Sequence, residues 1–551
     1  MAKVTLSGSK RIRLEGGSVP PSFLNERGKP YATFPLCGDI IRRFQELNGR
    51  DATEITQGVR TALVPMRERQ AALQELRGLA DTDWEVMGDR LFPFQRVGAR
   101  WLLTAKKGIL ADSQGLGKTV QSLVAAEAAD PRRGIIVCNS AKIQDWVDHV
   151  KEWTTRTPLV LKGSAEARRE ILSGWKDEFL VCNFAQAAIN LGLRADLVII
   201  DEAHNIRNRK ADKFTAIEGI CAGAEWVFLL TATPAVNAAE DIWSLLHMVD
   251  LPRFNAYWLF AKRFFEVTYS HWGVKVGGIL EEEREALDRI LAVYMLQRGK
   301  EELTGLPTRT RRVLDYRMGS EQARLHRDML LREAATSDGE TVYSEGTLSQ
   351  ITRLRQLAID PGLLFEGYRG ESKLDLLVET VRGGEGKAVV FTMFETAAER
   401  AADRLNQEGI HTVLLTGSMN ARARLRAVEY FANEADVLVV THKTGGEGLN
   451  LVMARRAIFL DLAWHPAGNT HAEDRIYRIG QTAEDVETIV LWAKGSIEDH
   501  VFDIVSQKRE VTIEEILRRA RNAEAARAGG DGQPEPVVDD GVSAGLAPWV
   551  S

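Results

Sequence analysis

Between Leu91 and Asp250 the chain alternates short, unbroken apolar runs with longer stretches of helical period. The runs are Gly134–Cys138, Phe179–Cys182, Leu197–Ile200 and Trp226–Leu230, preceded by a short apolar entry at Gly108–Ala111. A strand that is apolar at every position has both faces covered. The alternation therefore predicts a parallel sheet with helices on each side. From 251 to 385 the rhythm is lost: aromatics, charged helical stretches and Leu306-Pro307 predict a helical insertion and linker. It resumes with Ala388–Phe391, Thr412–Leu415, Val437–Val440, Ala457–Leu460 and Thr488–Leu491, which predict a second parallel sheet of similar size. The pattern partitions the chain into an N-terminal accessory region (1–90), a first α/β lobe (91–250), the insertion and linker (251–385) and a second lobe (386–495). A helical brace (496–527) and an acidic tail (528–551) predicted to be disordered follow. Within 1–90, Pro20, Pro21, Gly28 and Pro30 predict loops. Pro65–Arg77 predicts a helix with its proline in the first turn and Gly78 just past its end.

At 551 residues the chain is too long for one core. A hydrophobic share of 44% and a charged share of 27% are those of ordinary soluble domains, so no special composition class is indicated. No apolar run approaches the ~20 residues of a membrane span, and the basic start MAKVTLSGSKRIR has no apolar core, so neither a span nor a secretory signal is expected. Of the four cysteines, Cys37, Cys138, Cys182 and Cys221, three lie in or near apolar runs and read as reduced core thiols. A net charge of −6 argues only weakly against a nucleic-acid partner, because a local basic surface suffices. The tail contributes Asp531, Glu535, Asp539 and Asp540 and no base.

Two motifs carry chemistry. ADSQGLGKT at Ala111–Thr119 is a glycine-rich turn opening a predicted helix, and LVIIDEAH at Leu197–His204 follows about eighty residues later. Backbone N–H groups around Gly115, Leu116 and Gly117 can close on phosphate oxygens, aided by the helix N-terminus. Lys118 can reach the terminal phosphates of a nucleotide, and the Thr119 hydroxyl can ligate Mg²⁺. The strand Leu197–Ile200 would deliver Asp201 to the metal and Glu202 to the attacking water. Asp112 stands where the general phosphate-loop pattern has glycine. Because only the first lobe has such a loop, a nucleotide between the lobes would need a cation from the second. Arg475 and Arg478, in DRIYRIGQ, would share one face if helical. A solvated or salt-bridged arginine pair is the alternative.

Taken in order, the motifs resemble those of the Swi/Snf-like family of superfamily-two ATPases, from about Leu91 to Leu517. LFPFQRVGARWL is similar to the opening L-x-P-Y-Q-x-x-G-x-x-W-L, whose glutamine reads adenine, here Gln95. ADSQGLGKT resembles ADEMGLGKT, which makes Asp112 the usual residue. LLTATPAVNAAEDIWSLLHMVD, MLQRGKEELTGLPTRT, LLTGSMNARARLRAVEYF, VVTHKTGGEGLNL and DLAWHPAGNTHAEDRIYRIGQ each have a counterpart. His465, His471 and Tyr477 depart from the last, whereas Arg475, Arg478 and Gln481 match it.

The resemblance implies two RecA-like lobes, ATP and Mg²⁺ as cofactors, and catalysis by Glu202, Arg475 and Arg478. It implies that His204 and Gln481 couple the site to movement. It also implies a DNA-dependent ATPase that translocates on double-stranded DNA, remodelling protein–DNA complexes or branched DNA. The alternatives are a strand-separating helicase and an ATP-gated binding module with little turnover. Lys142, Thr441, Lys443 and Trp464 fall where family members touch DNA, though Trp464 could equally be core and Lys142 an exposed helix residue. A protein partner could use residues 1–90 or the tail, no membrane is implied, and the expected setting is the cytoplasm of a bacterial or phage-infected cell.

Overall fold

The structure, a computed structural model, describes residues 2–6, 11–15, 34–35, 41, 44–45, 48, 53–79, 81–82, 84, 90–189, 192–232, 239–270, 273–300, 307–445, 449, 451–464, 466–478, 480–500 and 517–522. The chain forms two compact units, Met1–Thr304 and Gly305–Ser551, so the boundary falls inside the segment read as linker. The tail 528–551 and much of the brace lie outside the described residues.

In the first unit seven strands form one sheet in the order Met295–Leu296, Lys107–Leu110, Trp226–Leu230, Leu197–Ile200, Gly134–Cys138, Phe179–Asn183, Pro158–Val160. Every pairing is parallel. Alternate residues of one strand feed opposite cores. Ile200 and Val198 pack with Phe214, Ile217 and Trp243, while Ile199 and Leu197 pack with Trp101, Leu123 and Trp146. Helices on both faces are why these strands are apolar throughout. Before this sheet, Phe34–Pro35, Arg11–Glu15, Ala2–Leu6 and Thr53–Ile55 form a small mixed sheet. The helix expected from Pro65 begins at Gln57 and runs through the proline to Arg77, capped by Gly78. The missing proline N–H costs one backbone bond, and burial of Val59, Leu73 and Leu76 on the same helix offsets it.

The second unit has a six-stranded parallel sheet in the order Thr308–Arg317, Asp485–Lys494, Arg456–Phe459, Ala388–Thr392, Val437–Thr441, Thr412–Leu415. Its two faces are covered by separate apolar clusters, one around Phe391, Phe459 and Tyr477, the other around Val390, Ile458 and Leu405. A satellite core joins the helices Ser320–Arg332 and Gly346–Ile359 to Ile497, Leu517 and Ala520, the described part of the brace.

The segment 251–385 is less helical than its composition predicts. It contains the hairpins Phe265–Ser270/Gly273–Ile279 and Ala334–Ser337/Glu340–Tyr343 and the edge strand Thr308–Arg317. That strand, TRTRRVLDYR, reads polar because it is a charged sheet edge with alternating exposure.

Cys138, Cys182 and Cys221 are free and buried. Burial pushes the Cys182 and Cys221 thiols up to about 12. Among the described residues no helix is long and apolar enough to cross a membrane.

Candidate active site

The phosphate loop leaves the strand Lys107–Leu110 and ends where Gly117 caps the helix Lys118–Ala129. Gly115 and Gly117 have φ of 84° and 71°, the left-handed region that glycine tolerates without strain. The first N–H groups of that helix have no intrahelical acceptor, which suits them to phosphate oxygens. A Cβ on Gly117 would stand 2.4 Å from Gln95 Nε2. Gln95 is therefore pressed against the loop: its Nε2 donates to the Leu116 carbonyl (3.3 Å) and its Oε1 accepts from the Phe92 N–H (3.1 Å). Lys118 arches back, donating to the carbonyls of Asp112 (2.7 Å) and Ser113 (3.3 Å). Lys118 and Thr119 are half-buried, and the Leu116 side chain is fully buried, so Leu116 offers only its backbone.

Asp112, grouped with the nucleotide-binding residues by its place in the loop, turns its carboxylate inward. It is fully buried and held by both arms of Arg298 (3.0 and 2.5 Å) and by Gln121 Nε2 (3.1 Å).

The strand Leu197–Ile200 does deliver the acids. Asp201 Oδ2 accepts from the Trp146 indole (3.0 Å), and Oδ1 accepts from the Glu202 N–H (3.0 Å). Burial, reinforced by the Glu202 charge, pushes the Asp201 carboxyl above its ordinary value; the Trp146 bond and the charges of Lys142 and Lys118 oppose this without overcoming it. The strands Lys107–Leu110 and Leu197–Ile200 both pair in parallel with Trp226–Leu230, so the loop and the acid box leave the same end of the sheet. Glu202 itself has φ 48°, rare for a residue with a side chain and a mark of a constrained site. His204 Nδ1 lies 3.3 Å from Glu202 Oε2. A buried carboxylate supplied only with neutral donors fits a hard divalent cation, and the Thr119 hydroxyl is a suitable second oxygen. No cluster of three or more His, Cys, Asp or Glu able to hold a metal exists among the described residues.

In the second unit the helix Pro466–Glu473 stops before the arginines, so Arg475 and Arg478 lie in the turns that follow and do not share a helical face. Their loop is tied at both ends. Glu473, fully buried, accepts from Arg311 (2.9 and 2.6 Å) and from the Thr488 hydroxyl (2.6 Å), with Arg309 at 3.5 Å. Burial alone would raise its carboxyl, but Arg311 and Arg309 outweigh burial and hold it low. At the other end Gln481 Nε2 donates to the carbonyls of Ala454 (2.8 Å) and Ile476 (3.2 Å), and its Oε1 accepts from the Ala483 N–H (3.0 Å). Gln481 thus closes the loop. Arg475 is buried and Arg478 half-buried.

The candidate DNA contacts are not alike. Lys142 ends a 3-10 turn and pairs with Asp145 at 3.4 Å. Thr441 corrects the reading: it is buried and its hydroxyl donates to Thr444 Oγ1 (2.9 Å), so it faces inward. The Lys443 side chain lies outside the described residues. Trp464 is half-buried between two apolar clusters with the Arg355 guanidinium 5.1 Å from its ring, surroundings that suit the packing alternative.

Beside Thr441, His442 is buried near the rings of Phe391 and Phe459, with Nε2 3.0 Å from the Asp461 carbonyl. Burial lowers its pKa; nearby Asp461 opposes this and Arg355 adds to it. The unfolded chain then takes up a proton near pH ~6.5 while the native chain does not. Stability present above that value is lost as pH falls toward the native pKa. Denaturant midpoints measured from pH 7.5 to 5 are expected to fall more steeply for the native chain than for His442→Gln. Equal slopes would show that the imidazole titrates alike in both states.

A phosphate loop and an acid box at one end of a parallel sheet, with an arginine loop on a second parallel sheet, define the class of helicase-like ATP-dependent enzymes. The chain matches the SNF2-related domain over residues 94–363 and the helicase conserved C-terminal domain over residues 372–480, and it belongs to the Snf2-like family. It is 25% identical over 508 residues to chromodomain-helicase-DNA-binding protein 8 of Xenopus tropicalis, covering 80% of this chain and 23% of that protein. Identity is 23% over 508 residues to the SWI/SNF-related matrix-associated actin-dependent regulator of chromatin subfamily A-like protein 1 of Xenopus laevis, covering 89% and 50%. An uncharacterized ATP-dependent helicase of Mycoplasma pneumoniae is 25% identical over 448 residues, covering 77% and 42%. The chain thus spans half or less of the length of these relatives. Among solved structures, the Sulfolobus solfataricus SWI2/SNF2 ATPase core in complex with dsDNA aligns at 21% identity and a TM-score of 0.39, covering 82% of this chain and 98% of that one.

Proposed function

We propose that this chain is a DNA-dependent ATPase that moves along double-stranded DNA. The observation carrying the ATPase reading is that the loop bearing Lys118 and the box bearing Asp201 and Glu202 leave the same end of the first sheet. Backbone N–H groups of Gly115–Thr119 and the Lys118 ammonium bind the phosphates. Gln95 keeps a second amide N–H and a second carbonyl lone pair with which to read a base edge. Asp201 and Thr119 hold Mg²⁺, which when bound neutralises charge on the phosphoryl group being transferred. Glu202, kept in place by its constrained backbone and by His204, orients the attacking water. Arg475 and Arg478 are assigned, from the family motif they match, to oppose the negative charge that develops on the γ-phosphate.

The duplex reading rests on family membership and on the DNA-binding named in one relative. Contact with phosphates alone gives affinity without sequence readout. ATPase stimulation by single-stranded, duplex and forked DNA and by RNA, together with displacement of a triplex-forming strand, tests it. Duplex DNA should stimulate best, and the third strand should be displaced without opening the duplex. Stimulation by single strands only, with duplex opening, would identify a strand-separating helicase instead. In the same assay Lys443→Ala is expected to weaken DNA binding irrespective of sequence and to lower the salt slope by about one phosphate contact. Trp464→Ala that displaces the third strand at the native rate per ATP would assign Trp464 to packing.

A further inference from the structure

Behind the phosphate loop, one guanidinium from a distant part of the chain ties together Phe94, Asp112 and Gln121. Arg298 Nε and Nη2 grip the two oxygens of Asp112 (3.0 and 2.5 Å), Nη1 donates to the Phe94 carbonyl (2.7 Å), and Nη2 also donates to Gln121 Oε1 (2.9 Å). Gln121 in turn donates to Asp112 Oδ2 (3.1 Å) and to the Leu116 carbonyl (3.0 Å). The backbone repeats the tie: Ala111 N–H donates to the Leu296 carbonyl (2.7 Å) and Ser113 N–H to the Arg298 carbonyl (3.0 Å). Gly98, on the helix Pro93–Ala105, leaves the room this needs. A Cβ there would come within 1.8 Å of Gln121 Oε1 and 2.7 Å of Arg298 Nη2. The same Asp112 offers its carbonyl to Lys118 on the loop's other side.

We infer that Arg298 is a positioning residue for nucleotide binding, which fixes the shape of the phosphate loop through Asp112 and Gln121 without touching the nucleotide itself. The inference rests on the ATP reading of the loop given above. A loop held ready spares the ligand the cost of ordering it; where only a fraction of molecules has the competent loop, apparent affinity falls by that fraction. The planar fork of arginine meets both carboxylate oxygens and two further acceptors at once, whereas lysine keeps the charge and loses the geometry. Arg298 also stands a few residues before the boundary at Thr304, on the segment by which the chain leaves the first unit.

The test compares Arg298→Lys, Asp112→Asn and their double variant with the native chain. Binding of a fluorescent ATP analogue with Mg²⁺, steady-state KM and kcat, and melting temperature are measured on each. Arg298→Lys is expected to raise Kd and KM about tenfold, while kcat at saturating ATP falls less than about threefold. Asp112→Asn should do the same, and the double variant no more than either single, because both break one tie. A lower melting temperature with native Kd and KM would show the pair to be merely structural and overturn the inference. If the lysine variant does not fold, Arg298→Met with Asp112→Leu removes both buried charges together and keeps the volume. A native KM in that variant overturns the inference as well. A native chain that binds no nucleotide would overturn the ATP reading itself, a result distinct from either of these.

Discussion

Glu202→Gln is expected to lower turnover by about 10²–10⁴, the usual contribution of a positioned general base, while leaving nucleotide affinity nearly unchanged. The amide is isosteric with the carboxylate, so the backbone at φ 48° and the contact with His204 are preserved. Asp201 keeps its bonds from Trp146 and from the residue 202 N–H, so the metal ligand stays in place. Lys118→Ala should behave differently. It removes the one side-chain cation of the loop, and a lost charged hydrogen-bond partner is worth about 1.5–3 kcal/mol, or roughly 10–100-fold in ATP affinity. Titration with a fluorescent nucleotide, paired with single-turnover phosphate release, separates the two effects. Normal turnover by the Glu202 variant would remove its assigned role.

Arg478→Ala should reduce kcat by about 10³–10⁵, the range for an arginine that meets charge on a transferred phosphoryl group, with a far smaller change in ATP affinity. The half-buried Arg478 is the cleaner choice of the two. Arg475 is buried, and truncating it would also remove packing. The bonds from Arg311 to Glu473 and from Gln481 to Ala454 and Ile476 are made by other side chains and remain available in the variant. The check is kcat and Kd measured with saturating duplex DNA, with melting temperature as the control for folding. Near-native hydrolysis would make Arg478 a structural arginine.

What the sequence disclosed follows from what each signal encodes. The four apolar runs of the first lobe and the five of the second all became strands, because burial on both faces forces an unbroken apolar code. The phosphate loop and acid box were legible because their function depends on local backbone and adjacent residues. Long-range partners left no local trace. Arg298 lies 186 positions from Asp112, and Arg311 lies 162 from Glu473, so neither could be matched to its acid by spacing. The inward turn of Asp112 was illegible for the same reason. Nothing local marks Trp146, 55 positions before Asp201, as the residue whose indole reaches that carboxylate. The strand Thr308–Arg317 was missed because a charged edge has no hydrophobic signature.

That same strand sets the order in which the second unit can be made. Thr308–Arg317 pairs over its whole length with Asp485–Lys494, a partner 177 positions later in the chain. During synthesis the first of these segments emerges early and must wait, unpaired and rich in arginine, until the intervening strands of the sheet have been translated. Closing so long a loop is slow, because chain entropy is lost before the pairing returns anything. The charges along the waiting strand keep it soluble and unattractive to other strands in the interval. A ribosome that stalled before Asp485 would therefore release a nascent sheet with one edge missing. The arginine loop that precedes Asp485 would lack Thr488 and the paired strand that brings Arg311 to Glu473.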